Sequence, residues 1–347
     1  MDFDRVADLP LAVEEVDLRL RERDTSSGFA RATTTVALSG NGETGLGEDV
    51  TYETADQREL VESGLPDLTG EYTFREFSDL VGDLDLFPSP PEREDFRHYR
   101  RWAVESAGLD LALRQQGTDL ATVLDRSYDP VTFVVSTRLG DPPTTDRLER
   151  LLDLRPDLQF KLDPTTDWTP DLTAAVADLA PVRICDLKGQ YEGTEVDAPA
   201  DPDLYELVLD SFPEAVIEDP RLTDETRPLF EGREGRVSWD APITGLESVE
   251  ALPFEPDWLN IKPSRFGSVR SLFETIEYCL DRDVRMYGGG QFELGVGRGQ
   301  IQALASLFYP DGPNDVAPGA YNDPELEGDL PASPLDPPAD PAGFRWE

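Results

Sequence analysis

Residues 182–188, VRICDLK, 215–220, AVIEDP, 237–242, VSWDAP, and 258–263, WLNIKP, share one plan: a short apolar, β-prone run that ends on charged residues. Runs this short and this continuously apolar read as buried parallel strands rather than half-exposed antiparallel ones. Working outward, VTFVVS at 131–136 and LQFKLD at 158–163 precede them, VRMYGG at 284–289 follows, and NDVAP at 314–318 is a weaker eighth. Between the runs lie stretches with helical periodicity, such as Thr169 to Leu179 and Ser268 to Leu280. A repeat of about 22 to 32 residues accommodates one strand and one helix, the unit of a (β/α)8 TIM barrel. A doubly wound sheet is the competing arrangement, and no glycine-rich nucleotide fingerprint follows the first run to support it.

Residues 1–129 read differently. DLRLRE is followed by FARATTTVALSGNGETGLGEDVTY, in which Asn41-Gly42 is a hairpin turn signal between two β-prone runs. A helix is predicted over Asp95 to Arg114, where Phe96, Tyr99, Ala103, Ala107 and Leu111 recur at helical spacing. The expected organisation is an α+β domain over 1–129, a barrel over 130–318, and a tail over 319–347. That tail is rich in Pro, Asp and Gly, and either wraps over the folded body or stays mobile.

The chain carries 72 Asp and Glu against 31 Lys and Arg, a net charge of -41 over 347 residues. Such a surface repels itself at low ionic strength, and molar salt, with a Debye length of about 3 Å, screens that repulsion. We read this as salt adaptation. Disorder is excluded because five Trp, 16 Phe and regular apolar runs supply a core that disordered acidic chains lack. Nucleic acid and anionic membranes are disfavoured as partners, since no basic run occurs. The opening MDFDRVADLP is neither basic nor apolar and no membrane-length apolar stretch occurs, so a cytoplasmic protein is expected. Cys185 and Cys279 lack metal-ligand spacing and are expected to be buried thiols.

Only three lysines occur, Lys161, Lys188 and Lys262, leaving 28 of the 31 basic residues as arginine. All three fall in predicted strands, two of them near the carboxyl ends where barrel active sites are assembled. Asp186, Glu218 and Asp240 end three successive strands, and neighbouring strand ends converge in a barrel. Three carboxylates meeting there suit a hard cation such as Mg2+, with water or substrate completing an octahedron.

The order Lys, Asp, Glu, Asp, Lys on successive strands resembles the enolase superfamily, and the resemblance spans nearly the whole chain. GNGETGLGE at 40–48 is similar to that superfamily's capping domain, and Val131 to about Pro318 to its modified barrel. The resemblance implies that Asp186, Glu218 and Asp240 hold Mg2+. It also implies that Lys161 is a base on the second strand, and that Lys262 matches the sixth-strand lysine of the muconate-lactonizing branch, across the substrate. Glu293 in QFELGVGRG matches a seventh-strand acid, and Lys188, Glu293 and Gln291 are further candidates for catalysis or substrate binding. The sequence departs from that branch at Gln159, where a first lysine is usual, at Lys188, where Asn is common, and at Ala241, where Glu is common. The single histidine, His98, falls in the first domain, so a seventh-strand histidine base is absent.

The chemistry so implied is abstraction of the proton beside a carboxylate, giving an enediolate whose charge bound Mg2+ can hold. A lysine base needs its pKa drawn down from about 10.4, which a cation and a second ammonium nearby would do. Lys262 could return a proton, assist a leaving group or act as a cation, giving epimerisation, cycloisomerisation or β-elimination. The expected partner is a small carboxylate, contacted by first-domain loops such as Arg23 to Arg31. The oligomeric state stays open, a homo-oligomer included. Gly288 to Gln291, GGGQ, allows either close backbone approach or a tight strand exit. The rival readings are a Schiff-base lyase or aldolase using Lys262, and a non-catalytic barrel that binds without reacting.

The charge balance makes a direct prediction: the melting midpoint should rise by many degrees between low and molar KCl, and a midpoint that does not move would refute salt adaptation.

Overall fold

The computed structural model describes residues 2–346 apart from Ser27, Glu195, Glu327 and Gly328. The first part holds helix α1 (Asp2–Ala7), strands β1 (Pro10–Val13), β2 (Glu15–Asp24), β3 (Ala30–Gly40) and β4 (Glu43–Asp49), and helix α2 (Thr54–Ser63). Strand β5 (Gly70–Thr73) and helices α3 (Phe74–Asp83), α4 (Phe96–Gln115) and α5 (Leu120–Leu124) complete it. Strands β2, β3 and β4 form an antiparallel sheet. Its β3–β4 hairpin turns at Asn41 and Gly42, both at positive φ, as the sequence pattern predicted. The helix expected from Asp95 is α4.

Strand β4 lies directly on α4, and two glycines make this possible. A Cβ on Gly47 would stand 1.9 Å from the Ala103 carbonyl oxygen, and one on Gly45 would stand 2.2 Å from that of Ala107. The Asp110 carboxylate on α4 accepts a hydrogen bond from Leu46 N at 2.8 Å, fixing the register of the two elements.

The second part alternates strand and helix: β6 (Val135–Thr137), α6 (Asp146–Leu154), β7 (Phe160–Leu162), α7 (Pro170–Leu179), β8 (Val182–Asp186), α8 (Pro202–Ser211) and β9 (Val216–Glu218). It continues through β10 (Val237–Trp239), α9 (Leu246–Glu250), β11 (Trp258–Ile261), α10 (Pro263–Phe266), α11 (Val269–Asp281), β12 (Arg285–Gly288) and α12 (Val296–Phe308). Strands β6 to β12 pair in parallel in chain order. Thr169 and Ser268 cap α7 and α11, accepting from Leu172 N and Ser271 N, so both predicted helices start on a side-chain acceptor.

NDVAP closes the barrel without forming a strand. Asn314 bridges Phe133 and Asp315 bridges Gly289, both in parallel, so this segment sits between the last strand and the first. The run VTFVVS contributes fewer strand residues than its composition suggests. Its first half is engaged elsewhere, Val131 pairing antiparallel with Leu335 of the tail and Phe133 with Asn314. The protein is therefore a modified (β/α)8 barrel with an N-terminal α+β cap.

Alternation along the barrel strands decides what faces where. Leu162, Cys185, Ile217, Trp239, Leu259 and Ile261 belong to the large apolar cluster shared with the surrounding helices. Ile184, Val216 and Tyr287 form a separate inner cluster with Val134. Asp186, Glu218, Asp240 and Lys262 share the parity of the inner positions. Cys185 and Cys279 are buried free thiols, as expected. The tail wraps the body: Gly343 bridges Asp119, Phe344 stacks edge-on against Trp102 at 6.3 Å, and Arg345 pairs with Asp110. Among the described residues, no helix is long and apolar enough to cross a membrane.

Gly47→Ala should destabilise the protein by about 1–3 kcal/mol or more, because backbone must move to admit the methyl group. Denaturant melts of this variant beside a surface Gly→Ala control would check it, and equal midpoints would show that β4 and α4 are not held as closely as described.

Candidate active site

Each inner-facing strand residue leads toward one point at the carboxyl ends of the strands. Asp186 from β8, Glu218 from β9 and Asp240 just past β10 are fully buried, and one oxygen from each lies within 4.8 Å of the others. Burying three carboxylates together is unfavourable unless each is paired, and each is. Lys161 Nζ lies 2.5 Å from Glu218 Oε1 and 3.4 Å from Asp186, Lys262 Nζ lies 2.8 Å from Asp240 Oδ2, and Lys188 Nζ bonds Asp186 Oδ2. All the lysines of the chain thus stand on the acids that the sequence singled out.

Neighbouring groups complete the lattice. Glu218 accepts from Tyr287 OH and from Asn260 Nδ2 at 3.2 Å. Tyr191 OH donates to Asp240 Oδ2 at 2.6 Å, Arg265 stands 3.5 Å from the same oxygen, and Asp315 stands 3.5 Å from Lys161. Asp219 is fully buried at positive φ and its two carboxylate oxygens accept from Asp240 N and Ala241 N, each at 2.8 Å. It thereby clamps the chain segment that carries Asp240. Of these groups the sequence reading missed Asp219, Tyr191, Tyr287, Asn260, Arg265 and Asp315. Asn260 and Asp219 adjoin predicted residues and share their strand-end position. Tyr191, however, comes from a loop whose path no periodicity reveals.

The charges interact strongly. Burial opposes ionisation of Lys161, but Glu218, Asp186 and Asp315 outweigh it and hold the ammonium well above its ordinary range. Burial also pushes Asp186 and Asp240 up, but Lys188 and Lys161 on the first, and Arg265 and Lys262 on the second, hold both low. Glu218, buried and lying between the other two acids, is raised well above the usual carboxylate range despite Lys161. Burial, with Asp240 and Asp186 nearby, raises Asp219 to about 7.

The lysines open onto a cavity of about 680 Å³ between barrel and cap. Its wall includes Phe29, Tyr52, Tyr99, Tyr191, Gln291 and Phe292. Phe29 lies in the loop joining β2 to β3, the middle of the predicted Arg23 to Arg31 segment, whose ends belong to the strands, and packs edge-on against Phe292 at 5.3 Å. Within that loop Ser27 lies outside the described residues. Gln291 accepts from Tyr52 OH at 2.9 Å and its backbone carbonyl accepts from the buried Arg31, so this residue joins barrel to cap. Glu293 is placed similarly: its carboxylate accepts from Gln291 N at 2.7 Å and pairs with Arg298 at 3.3 Å. Beside it the cap's Glu48, fully buried and raised in pKa by burial, accepts from Leu294 N, Gly295 N and Gly297 N at the start of α12. His98 donates from Nδ1 to the Arg265 carbonyl at 2.6 Å and is not on the cavity wall.

A cap over the carboxyl ends of a (β/α)8 barrel, with acids and lysines meeting beneath it, defines a protein with the enolase-superfamily fold. Muconate lactonizing enzyme from Pseudomonas putida superposes with a TM-score of 0.62 at 17% identity, over 88% of each chain. An unknown member of the enolase superfamily from Enterococcus faecalis V583 gives 0.62 at 17% identity, over 96% of this chain and 93% of that one. The chain belongs to the family described as domain of unknown function DUF8230, matching its C-terminal domain over residues 127–323 and its N-terminal domain over 4–123. In sequence it is also similar to o-succinylbenzoate synthase of Bacillus subtilis (strain 168), 25% identical over 225 residues. That match covers 62% of this chain and spans 58% of the length of the relative.

Replacing Asp219 by Asn leaves one of the two backbone N–H groups facing an amide N–H. We expect a loss of about 1–3 kcal/mol in stability, measured by denaturant unfolding in molar KCl, and an unchanged midpoint would remove Asp219 from any role in holding Asp240.

Proposed function

We propose that this protein catalyses the Mg2+-dependent removal of the proton α to the carboxylate of a small organic acid. In this reading Asp186, Glu218 and Asp240 are the metal ligands and Lys161 and Lys262 the acid and base. The observation that carries it is the convergence of three fully buried acids within 4.8 Å, with Lys161 reaching Glu218 and Asp186 and Lys262 reaching Asp240. The donor set fits a hard divalent cation: all three ligands are carboxylate oxygens, and Asp240 Oδ1 is buried with no hydrogen-bond partner. The metal would supply electrostatic stabilisation of the charge that develops on the substrate carboxylate.

The chain's own residues account for the rest. Lys161 is held as an ammonium by Glu218 and Asp186. A divalent cation held by those carboxylates would take up that support and so favour the neutral amine that a base must be. Lys262, approaching from β11 rather than β7, is placed to return a proton, assist a leaving group or act as a fixed cation. Epimerisation, cycloisomerisation and β-elimination follow from these three roles. The names of similar proteins, muconate lactonizing enzyme and o-succinylbenzoate synthase, support a small carboxylate as substrate.

The cavity supports an anionic substrate as well. In a chain of net charge -41, its wall carries three lysines and Arg93, Arg138, Arg265 and Arg298, against six acidic residues. Glu48, Arg31 and Gln291 dock the cap on the barrel, so that aromatic side chains from both line the cavity. A Schiff-base mechanism is less well supported, because Lys262 Nζ is engaged by the buried Asp240 carboxylate at 2.8 Å rather than free to attack a carbonyl.

The test is solvent exchange. Small carboxylates incubated in D2O with Mg2+ and molar KCl should gain deuterium at the α-carbon, with loss of exchange on chelation and recovery on adding Mg2+. Lys161→Arg keeps the charge but does not give up its proton, so exchange should fall by about 10²–10⁴-fold. Exchange at the wild-type rate in that variant would show that Lys161 is not the base.

A further inference from the structure

We propose that Lys188 is a built-in counter-cation for Asp186. It holds the acid triad together before a divalent cation binds, competes with that cation for the carboxylate, and then moves to Asp163. This rests on the reading of Asp186, Glu218 and Asp240 as metal ligands.

The three lysines differ in how they are seated. Lys161 and Lys262 have side chains 2% and 8% exposed, whereas Lys188 lies beyond the end of β8 with a side chain 19% exposed on the cavity wall. Its φ is 53°, a left-handed conformation uncommon for a residue with a side chain. That turn lets one residue grip both oxygens of Asp186: Lys188 N donates to Oδ1 at 3.0 Å and Nζ to Oδ2. Asp240 is different, since its Oδ1 has no partner. Asp186 is therefore the member of the triad whose two oxygens are both held by one neighbouring residue, and a metal ion reaches it by displacing, or tolerating at close range, the Lys188 ammonium.

A second seat for the ammonium lies next to the first. Asp163 Oδ1 is buried with no hydrogen bond and lies 3.7 Å from Lys188 Nζ, while Arg138 holds Oδ2 of the same carboxylate at 3.3 Å. The Tyr191 ring, 5.3 Å from Nζ, flanks the path along the cavity wall. A short rotation thus exchanges one carboxylate for another without leaving the ammonium unpaired. Lys161 and Lys262 are needed where they stand for the proposed chemistry, which leaves Lys188 as the lysine free to change partners.

The experiment uses the full chain in molar KCl, with Mg2+ titrated by calorimetry and Mn2+ by its electron paramagnetic resonance signal. Lys188→Met keeps much of the side-chain volume and removes the charge. We expect it to bind Mg2+ on the order of tenfold more tightly than wild type, since two like charges no longer share one carboxylate. Its metal-free melting midpoint should fall, because Asp186 loses its partner, while the rise on adding Mg2+ should grow. A merely structural lysine would also lower the metal-free midpoint but would leave metal affinity unchanged or weaker, so Mg2+ binding equal to or weaker than wild type overturns the proposal. Should Lys188→Met not fold, Asp163→Asn tests the second seat, with weaker Mg2+ binding expected and unchanged binding overturning it. If wild type itself binds neither Mg2+ nor Mn2+, the metal reading fails and this proposal falls with it, an outcome distinct from the others.

Discussion

Three carboxylates removed from water within a few ångströms of one another are tolerated only when cations surround them. This constraint organises the molecule. It accounts for the company of Lys161, Lys188, Lys262 and Arg265 at one spot, and for the hydrogen bonds that Tyr287, Asn260 and Tyr191 donate to the remaining oxygens. It also makes the lysine usage of the chain intelligible. Arginine serves on the surface, at the cap–barrel contact through Arg31 and beside Asp240 through Arg265, while every lysine of the chain stands at the acid cluster.

The cap matters because it closes the space above these charges. Its sheet comes so near α4 that Gly45 and Gly47 leave no room for a Cβ, and Glu48 reaches from that sheet to the first backbone N–H groups of α12. A carboxylate at a helix start satisfies donors that would otherwise be orphaned. Arg31 works in the same direction, its guanidinium bonding backbone carbonyls of cap and barrel together. Through these contacts the aromatic residues of the cap are held over the lysines, and the cavity has a roof that belongs to a different structural unit from its floor.

The tail adds a further restraint. By pairing with Val131 and Asp119 and burying Phe344 beside Trp102, it joins the start of the barrel to helix α4 of the cap. Among the described residues the barrel is closed by isolated bridges at Asn314 and Asp315, and the side chain of Asn314 reinforces them. Its Nδ2 donates to the carbonyls of Thr132 and Tyr309, and its Oδ1 accepts from Gly288 N. That neighbourhood is where Asp315 projects toward Lys161.

Much of this was legible in the sequence because periodicity and punctuation are local. Apolar runs at regular intervals announced parallel strands, Asn41-Gly42 announced the hairpin, and the charges at the ends of VRICDLK, AVIEDP, VSWDAP and WLNIKP stood out against their apolar neighbours. Strand alternation then carried those charges to one face, which is why Asp186, Glu218, Asp240, Lys161 and Lys262 could be named without coordinates. What remained hidden depends on distance between residues far apart in the chain. The second half of the site lattice, Tyr191, Arg265, Tyr287 and Asp315, comes from loops, a short helix and later strands whose side chains meet only when the barrel closes. The course of the tail, the closing role of Asn314 and the seat of Lys188 between Asp186 and Asp163 were likewise decided by tertiary contacts, since no local pattern encodes which carboxylate an ammonium will find.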